Sequence, residues 1–263
     1  MTAYTFDGSM DGLLTAVFDA FERHEQPEML LTVGDALPLF CDHVHEVSTD
    51  EKKARRVWTG LEKRLSPEAL RLITFSWLSE LPELNTPLFN FICKTFRLPE
   101  KAESIERYFA DPDVQVITRI GLMVGHEQLS AKQFVRFQKA KDGTYLAVIA
   151  PAYNVLPLII GHFRDRFNDQ PWLIYDAKRH YGYYYEGKDK PIRVTFEDET
   201  AIPFNLIDGK LNDEVLSGDD HLFQDLWRTY FKAICIRERL NPKKQHSEIP
   251  LRFWKYMTEM QSN

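Results

Sequence analysis

The spacing of apolar residues changes twice along this chain, and the change limits the folds that the chain can adopt. Through residue 131 most apolar positions recur every three or four residues, which is the period of an amphipathic helix. Between residues 134 and 196 several short segments alternate apolar and polar side chains, as half-buried strands do. Helical spacing returns at 221–240. We therefore predict an α+β fold with a helical N-terminal half, a central, mostly antiparallel sheet with one helix, and a long C-terminal helix.

The predicted helices begin at positions with a capping side chain. A Ser, Thr or Asp accepts a hydrogen bond from a free backbone N–H group of the first turn, and proline suits the position after it. This pair occurs at Ser66-Pro67, Thr86-Pro87 and Asp111-Pro112. Ser9 is a further predicted cap, Ser48 with Glu51 matches a capping box, and Asn154 is predicted to cap the helix within the sheet region.

The predicted strands are short and are joined by short turns. Residues 3–6 form the first. Residues 134–139 and 144–150 flank Asp142-Gly143, a dipeptide that fits a tight hairpin turn. Three more strands are predicted at 172–176, 180–186 and 191–196, and their short turns favour antiparallel pairing.

We predict a single α+β domain over residues 1–263, because the sequence contains no internal repeat and no low-complexity linker. A subdivision into a helical part, 1–132, and a part with the sheet and C-terminal helices, 133–263, is the alternative. The three widely spaced cysteines include no CxxC pair, which argues against a disulfide framework or a zinc ribbon. No segment resembles a signal peptide or a membrane span. A cytoplasmic protein without membrane contact is expected.

The net charge of −6 is unevenly distributed. Residues 1–50 carry one Lys or Arg against ten Asp or Glu, whereas residues 51–180 carry 20 against 15. An acidic stretch at 181–220 precedes a basic tail. A chain with this balance does not coat nucleic acid nonspecifically, because its net charge repels phosphates. Contact with nucleic acid therefore requires a local basic surface.

The sequence lacks the strongest cofactor and nucleophile motifs: GxGxxG, the P-loop, GxSxG and HExxH do not occur. We predict no cofactor and no metal, since His43 and His45 share a strand face without an evident third ligand. The acid–base candidates are His162 and Asp165, which share one side of a helix, and Asp176 at a strand end. A solvated helix face is the alternative for the first two.

Two segments combine cations with aromatic residues, 162–185 and 237–260. Cations next to flat rings suit phosphate contact together with base stacking. A half-buried strand and a helix C-terminus followed by an aromatic anchor explain the same residues without a ligand. The residues predicted to contact nucleic acid are Arg136, Arg166, Lys178, Arg179, Arg239, Lys243, Arg252 and, by stacking, Trp254.

Five ordered segments resemble a known family: YTFDGSMDGLLTAVFDAFE, EKKARRVW, FVRFQ, HFRDRF…WLIYDAKR and LWRTYFKAICIRERLNPKKQ…PLRFWKYMTE. Together they extend from Tyr4 to Glu259. This set is similar to a family of DNA metabolism (DNA repair) proteins. Its members occur beside a radical-SAM protein of DNA modification or repair, or fused ahead of a uracil-DNA-glycosylase-type domain. The resemblance implies a DNA-repair context and a radical-SAM partner, but no catalytic residue.

Three hypotheses follow. The first is a DNA-binding accessory factor that delivers DNA, or a lesion in it, to a radical-SAM enzyme encoded separately. The second is an enzyme that acts on nucleic acid or a nucleotide, which requires one cleft that unites His162, Asp165 and Asp176. The third is a protein-interaction module whose acidic residues 1–50 dock on a basic partner surface. We adopt the first as the main prediction.

Overall fold

A three-stranded parallel sheet begins the fold. The computed structural model describes residues 1–99, 104–196, 203–212, 215–218, 249–257 and 259–260. In it β1 (Thr2–Phe6) lies between β2 (Met29–Thr32) and β3 (His43–Glu46), and Ala3 pairs with Met29. The alternation at residues 3–6 predicts β1 correctly. Residues 29–32 read MLLT without alternation, so no sequence pattern predicted β2.

Helices make up most of the rest of the N-terminal half. Their bounds are α1 (Met10–Glu22), α2 (Glu51–Glu62), α3 (Pro67–Leu78), α4 (Asn85–Arg97) and α5 (Pro112–Phe134), with single 3₁₀ turns at Pro82–Leu84 and Ile105–Arg107. The predicted caps Ser9, Ser66 and Asp111 accept hydrogen bonds from backbone N–H groups of the first turns of α1, α3 and α5. These starts are therefore confirmed.

Two predicted capping residues are wrong, in each case because another interaction is available. Asp50, not Ser48, caps α2, and its carboxylate accepts from the N–H groups of Lys52 and Lys53 at 2.7 and 3.1 Å. Thr86 lies in the first turn of α4, and its hydroxyl accepts from the N–H of Leu30 in β2 instead of capping the helix. An aspartate makes a good cap because its negative charge also favours the positive end of the helix dipole.

The second sheet has five strands in the order β4-β5-β6-β7-β8. These are β4 (Gln138–Lys139), β5 (Tyr145–Ile149), β6 (Trp172–Asp176), β7 (Tyr181–Tyr185) and β8 (Ile192–Val194). Only β5 and β6 pair in parallel, since α6 (Leu156–Arg166) connects them; the other pairs are antiparallel. The mostly antiparallel sheet is confirmed, as is the Asp-Gly hairpin, whose Gly143 has a φ of +88°.

Successive side chains of β5 and β6 point to opposite faces of this sheet, and both faces are buried along these two strands. On one face Leu146, Val148, Leu173 and Tyr175 join a cluster of buried apolar residues. On the other, the Tyr185 hydroxyl donates to the backbone oxygen of Asn168, just after α6. The cap prediction for Asn154 is wrong: its side chain accepts from the Tyr181 hydroxyl. Val155 is the N-cap residue of α6, and no side chain among the described residues caps this helix.

Backbone contacts divide the chain into two compact units, Met1–Gly125 (unit 1) and His126–Asn263 (unit 2), with the boundary inside α5. The prediction of a single domain stays a prediction. The α+β class is confirmed.

The predicted long helix at 221–240 lies outside the described residues. Later in the sequence, the structure describes a four-residue helix, α7 (Leu251–Trp254). Over the described ranges, no helix combines the length and apolarity that crossing a membrane requires.

Candidate nucleic-acid interface

Helix α2 has an apolar side and a basic side because of how its residues are spaced. Ala54, Val57 and Leu61 recur at intervals of three and four and are buried. The opposite side is exposed and carries the basic row, which we define as Lys52, Arg55, Arg56 and Lys63. Residues three and four apart are neighbours on a helix surface, so these cations follow one another along the helix.

The cations of the basic row have no carboxylate partners within the part of the chain that the structure describes. There, the side chains of Lys52, Arg55 and Lys63 form no ion pair or hydrogen bond, and Arg56 lies over the Phe18 ring, 5.1 Å from its centroid. Lys53, on the side turned to α1, instead pairs with Asp19 at 2.7 Å. Like charges without counter-ions create a positive potential that attracts anions.

A shallow depression of about 680 Å³ follows the basic row, whose four cations all line it. Gly60 forms part of its base. A Cβ atom at this position would lie 2.7 Å from a ring carbon of Phe96, so only glycine lets that ring pack directly beneath the helix backbone. The row therefore borders a surface with room for an extended anionic chain.

A groove of about 430 Å³ adjoins the basic row between α1, α2 and α3. We call it the Trp groove. Its buried floor is Leu14 and Ala54, and the half-buried indoles of Trp58 and Trp77 line it. The remaining lining residues are Met10, Asp11, Glu51, Arg55 and Thr74. Arg55 and Glu51 line both the groove and the depression.

The two indoles differ in their hydrogen bonds. The N–H of Trp58 donates to a carboxylate oxygen of Glu62 at 2.9 Å, which fixes that ring one turn from the helix end. The N–H of Trp77 has no acceptor among the residues that the structure describes. Thr74, which also lines the groove, donates its hydroxyl proton to the backbone oxygen of Leu70 at 3.0 Å.

The basic row and the Trp groove were not predicted from the sequence, for two different reasons. The helical spacing of the basic row was available, but the segment EKKARRVW served there only as part of the family resemblance. The Trp groove had no such signal, because Trp58 and Trp77 belong to different helices.

Two of the residues predicted to contact nucleic acid, Lys178 and Arg179, follow the carboxyl end of β6. The buried carboxylate of Asp176 accepts from the N–H groups of Lys178 and Arg179 and from the Arg179 guanidinium, at 2.9, 3.2 and 3.0 Å. Arg179 also donates to the backbone oxygens of Pro151 and Ala152, each at 3.2 Å. Burial raises the pKa of Asp176, whereas Arg179 and the two N–H donors oppose that rise.

A second buried carboxylate in unit 2 holds another arginine. Glu127 accepts from both Nε and a terminal nitrogen of Arg252, with the Nε contact at 2.7 Å, and from the N–H of Ala152 at 2.8 Å. Arg136 pairs similarly with Glu259, at 2.6 Å. Each of these carboxylates has almost no exposed side-chain surface, so the arginine neutralises a charge that water does not reach.

The eight predicted nucleic-acid contacts therefore have different surroundings. Arg136, Arg179 and Arg252 form ion pairs within unit 2, and the Trp254 indole donates to the backbone oxygen of Ile249 at 3.0 Å. Arg166 and Lys178 are exposed, and the Lys178 ammonium donates to the backbone oxygen of Ala152. Arg239 and Lys243 lie outside the described residues. All eight stay predictions as contacts.

The three acid–base candidates do not form one site. His162 and Asp165 are exposed on α6, and Asp165 pairs with Arg164 at 2.7 Å. Asp176 is buried against Arg179. No hydrogen bond or ion pair joins any two of the three. Burial, Lys132 and Arg166 lower the pKa of His162, and Asp165 opposes them. The cleft that the enzyme hypothesis requires is not formed by these residues.

The candidate metal ligands His43 and His45 have different surroundings. The His45 ring nitrogen lies 3.1 Å from Asp19, while His43 is exposed. Over the described ranges, no group of three or more His, Cys, Asp or Glu side chains is arranged to hold a metal ion. Burial raises the pKa of the Cys93 thiol to about 12, which keeps it protonated and unreactive.

A family model described as a domain of unknown function, DUF4130, matches residues 82–259, about two thirds of the chain. No curated protein matches this chain. Similar solved structures include the pGpG-specific phosphodiesterase PggH from Vibrio cholerae, at 13% identity over 88% of this chain and 99% of that one, with a TM-score of 0.31. A DHH-domain member of the s1p family of ribosomal proteins has 10% identity over 70% and 73%, with a TM-score of 0.26. Likenesses this weak carry no argument about fold or function.

Proposed function

The chain belongs to the DUF4130 family, whose description assigns no function, and we propose that it is a nucleic-acid-binding protein that contacts phosphates through the basic row of α2. The row and the Trp groove precede the residues that the family model matches. The proposal therefore depends on the residues of this chain, not on the family description.

One observation carries this proposal. Four exposed cations lie along one side of α2 without carboxylate partners among the described residues, although the chain as a whole has a charge of −6. Side chains of like charge three or four residues apart on a helix repel one another, so the spacing of this row opposes the stability of α2. A polyanion removes that repulsion, and binding it releases the counter-ions condensed on its phosphates.

We place this binding in DNA metabolism because of the family that the sequence resembles. In that context the protein is an accessory factor that binds DNA and works with a radical-SAM protein of DNA modification or repair. Arg166 and Lys178 remain candidate contacts on unit 2, since both are exposed. We assign Arg136, Arg179 and Arg252 to their ion pairs.

Fluorescence anisotropy across a salt series tests the proposal. The ligands are labelled single-stranded and duplex oligonucleotides, and the variant is the triple substitution Arg55→Ala, Arg56→Ala and Lys63→Ala. Each lost phosphate contact reduces the log–log salt slope by about 0.7 for a single strand and about 0.9 for a duplex. The triple variant is therefore expected to lose a slope of about 2 to 3.

The matched control removes three other cations of unit 1 that lie outside α2: Arg71, Arg97 and Arg119, each changed to alanine. The control has the same net charge as the test variant, so it measures the nonspecific effect of charge alone. Wild-type protein that does not bind either ligand at low salt overturns the proposal. So does a test variant that binds as the control does.

A further inference from the structure

We infer that the Trp groove holds one unstacked nucleobase, so that the protein prefers single-stranded nucleic acid to duplex. This inference rests on the proposed function, because the basic row supplies the phosphate contacts next to the groove. The groove volume of about 430 Å³ falls within the roughly 300–1,000 Å³ typical of small-molecule sites. It also combines a largely apolar lining with a few polar groups, as such sites do.

The aromatic lining favours a flat ligand. Trp58 and Trp77 contribute indoles from two neighbouring helices, over a floor of Leu14 and Ala54. Bases stack on aromatic side chains regardless of their sequence, because every base has a π face. In a duplex both faces of a base are already covered by its neighbours, so only an unpaired base is free to enter.

The charges of the groove separate a base from its phosphate. Arg55 lines both the groove and the depression of the basic row, so a phosphate at the groove mouth meets this cation. Asp11 and Glu51 also line the groove, and their carboxylates repel a phosphate that enters it. A nucleotide therefore fits in one direction, with the base inside and the phosphate on α2.

The same carboxylates favour bases that carry an amino group. Aspartate and glutamate accept hydrogen bonds from the exocyclic amine of cytosine, whereas thymine offers a carbonyl oxygen at the equivalent position. The N–H of Trp77, which has no acceptor in the described ranges, supplies a donor for a ring nitrogen or carbonyl of the base. We therefore expect oligo-dC to bind more tightly than oligo-dT, with Asp11 as the residue that determines the difference.

The decisive experiment compares Trp77→Leu with Phe109→Leu in the anisotropy assay. Phe109 is an exposed aromatic residue of unit 1 that does not line the groove. Loss of one base–aromatic stack costs about 1–3 kcal/mol, which corresponds to a loss of affinity of about 5- to 150-fold. Trp77→Leu is expected to lose this affinity for single strands only, and Phe109→Leu is expected to bind both forms as wild type does.

Asp11→Asn provides a second variant that does not depend on core packing, since Asp11 is exposed. It is expected to reduce the preference for oligo-dC over oligo-dT at pH 8 while affinity for oligo-dT is kept. An unchanged preference overturns the assignment of the carboxylate.

The outcomes separate the inference from the function on which it rests. If the triple variant of the basic row loses binding while Trp77→Leu keeps full affinity for single strands, the inference is overturned and the proposed function stands. If the wild type binds dCMP, with tryptophan quenching that Trp77→Leu abolishes, but binds no oligonucleotide, the base site stands and the proposed function fails. Equal affinity of the wild type for single strands and duplexes also overturns the inference.

Discussion

The cations of α2 and the arginines of unit 2 are the same residue types in opposite surroundings. Arg55 and Lys63 point away from the fold and have no carboxylate partner within the described residues. Arg179 has a side chain that is 9% exposed and that spans from Asp176 to the backbone oxygens after β5. A buried, paired cation holds loops in place, whereas an exposed, unpaired cation is available to a ligand.

This difference changes how a basic residue in the sequence should be interpreted. Segment 162–185 has cations beside aromatic residues, and that pattern predicted a phosphate site. In the structure, however, Asp176 neutralises Arg179, and Glu127 neutralises Arg252 from outside that segment. Cation count alone therefore does not identify an anion site. The position of the nearest carboxylate in three dimensions decides it.

The strongest test of this comparison is Asp176→Ala. The substitution leaves a guanidinium and two backbone N–H groups without their acceptor in a buried place. Removing one partner of a buried ion pair typically costs about 3–5 kcal/mol of unfolding free energy. Urea unfolding followed by circular dichroism measures this loss. A loss below about 1 kcal/mol, within the range of exposed pairs, would show that the Asp176–Arg179 pair does not hold unit 2 together.

Arg252→Ala is expected to have a smaller effect, because the arginine side chain is 40% exposed while Glu127 is 2% exposed. Glu127 keeps its bond from Ala152 but loses its charged partner, at an expected cost of about 1–3 kcal/mol. Affinity of the folded variant for an oligonucleotide should equal that of the wild type. Reduced affinity with unchanged stability would instead make Arg252 a phosphate contact, as the sequence alone predicted.

The pH dependence of stability sharpens the comparison within unit 1, where Lys94 pairs with Asp111 and Asp113. Burial opposes ionisation of Asp111, but Lys94 and two backbone N–H groups lower its pKa below 3.8. Because its pKa is lower in the folded protein, ionised Asp111 stabilises the fold. This contribution is complete above pH 3.8 and is lost as pH falls through the lowered folded-state pKa. Lys94→Met should flatten the stability curve in that range, by about 1 kcal/mol or less. Urea midpoints between pH 2 and 5 measure it, and an unchanged curve contradicts the pairing.

The smallest effect on stability is expected for Lys63→Ala on α2. The side chain is exposed and contacts no carboxylate in the described ranges, so unfolding free energy should change by no more than about 0.5 kcal/mol. The salt slope for oligonucleotide binding should nevertheless fall by about 0.7 to 0.9. A loss of stability above 1 kcal/mol would show that the basic row supports the fold.

Much of the fold was visible in the sequence, particularly where local chemistry determines local structure. Ser66 before Pro67 predicts the start of α3, and Asp142-Gly143 predicts a hairpin turn. Prediction was wrong where a distant group competed for a side chain. The Thr86 hydroxyl binds β2 and Asn154 binds Tyr181, so neither caps a helix.

The candidate site was visible only in part. The spacing of Lys52, Arg55, Arg56 and Lys63 on a helix could have predicted the basic row without a structure. No local pattern joins Trp77 to Trp58, since one is on α3 and the other on α2. Nor does a local pattern show that Glu127 neutralises Arg252.

The sequence by itself determined the α+β class, the starts of α1, α3 and α5, the Asp-Gly hairpin and the basic side of α2. These features depend on periodicity, capping and turn chemistry, which act over a few residues. The tertiary structure decided which cations have counter-ions, which indoles share a groove and which acid–base candidates stay apart. Those properties depend on distances between residues far apart in the chain, because electrostatic attraction and packing act through space.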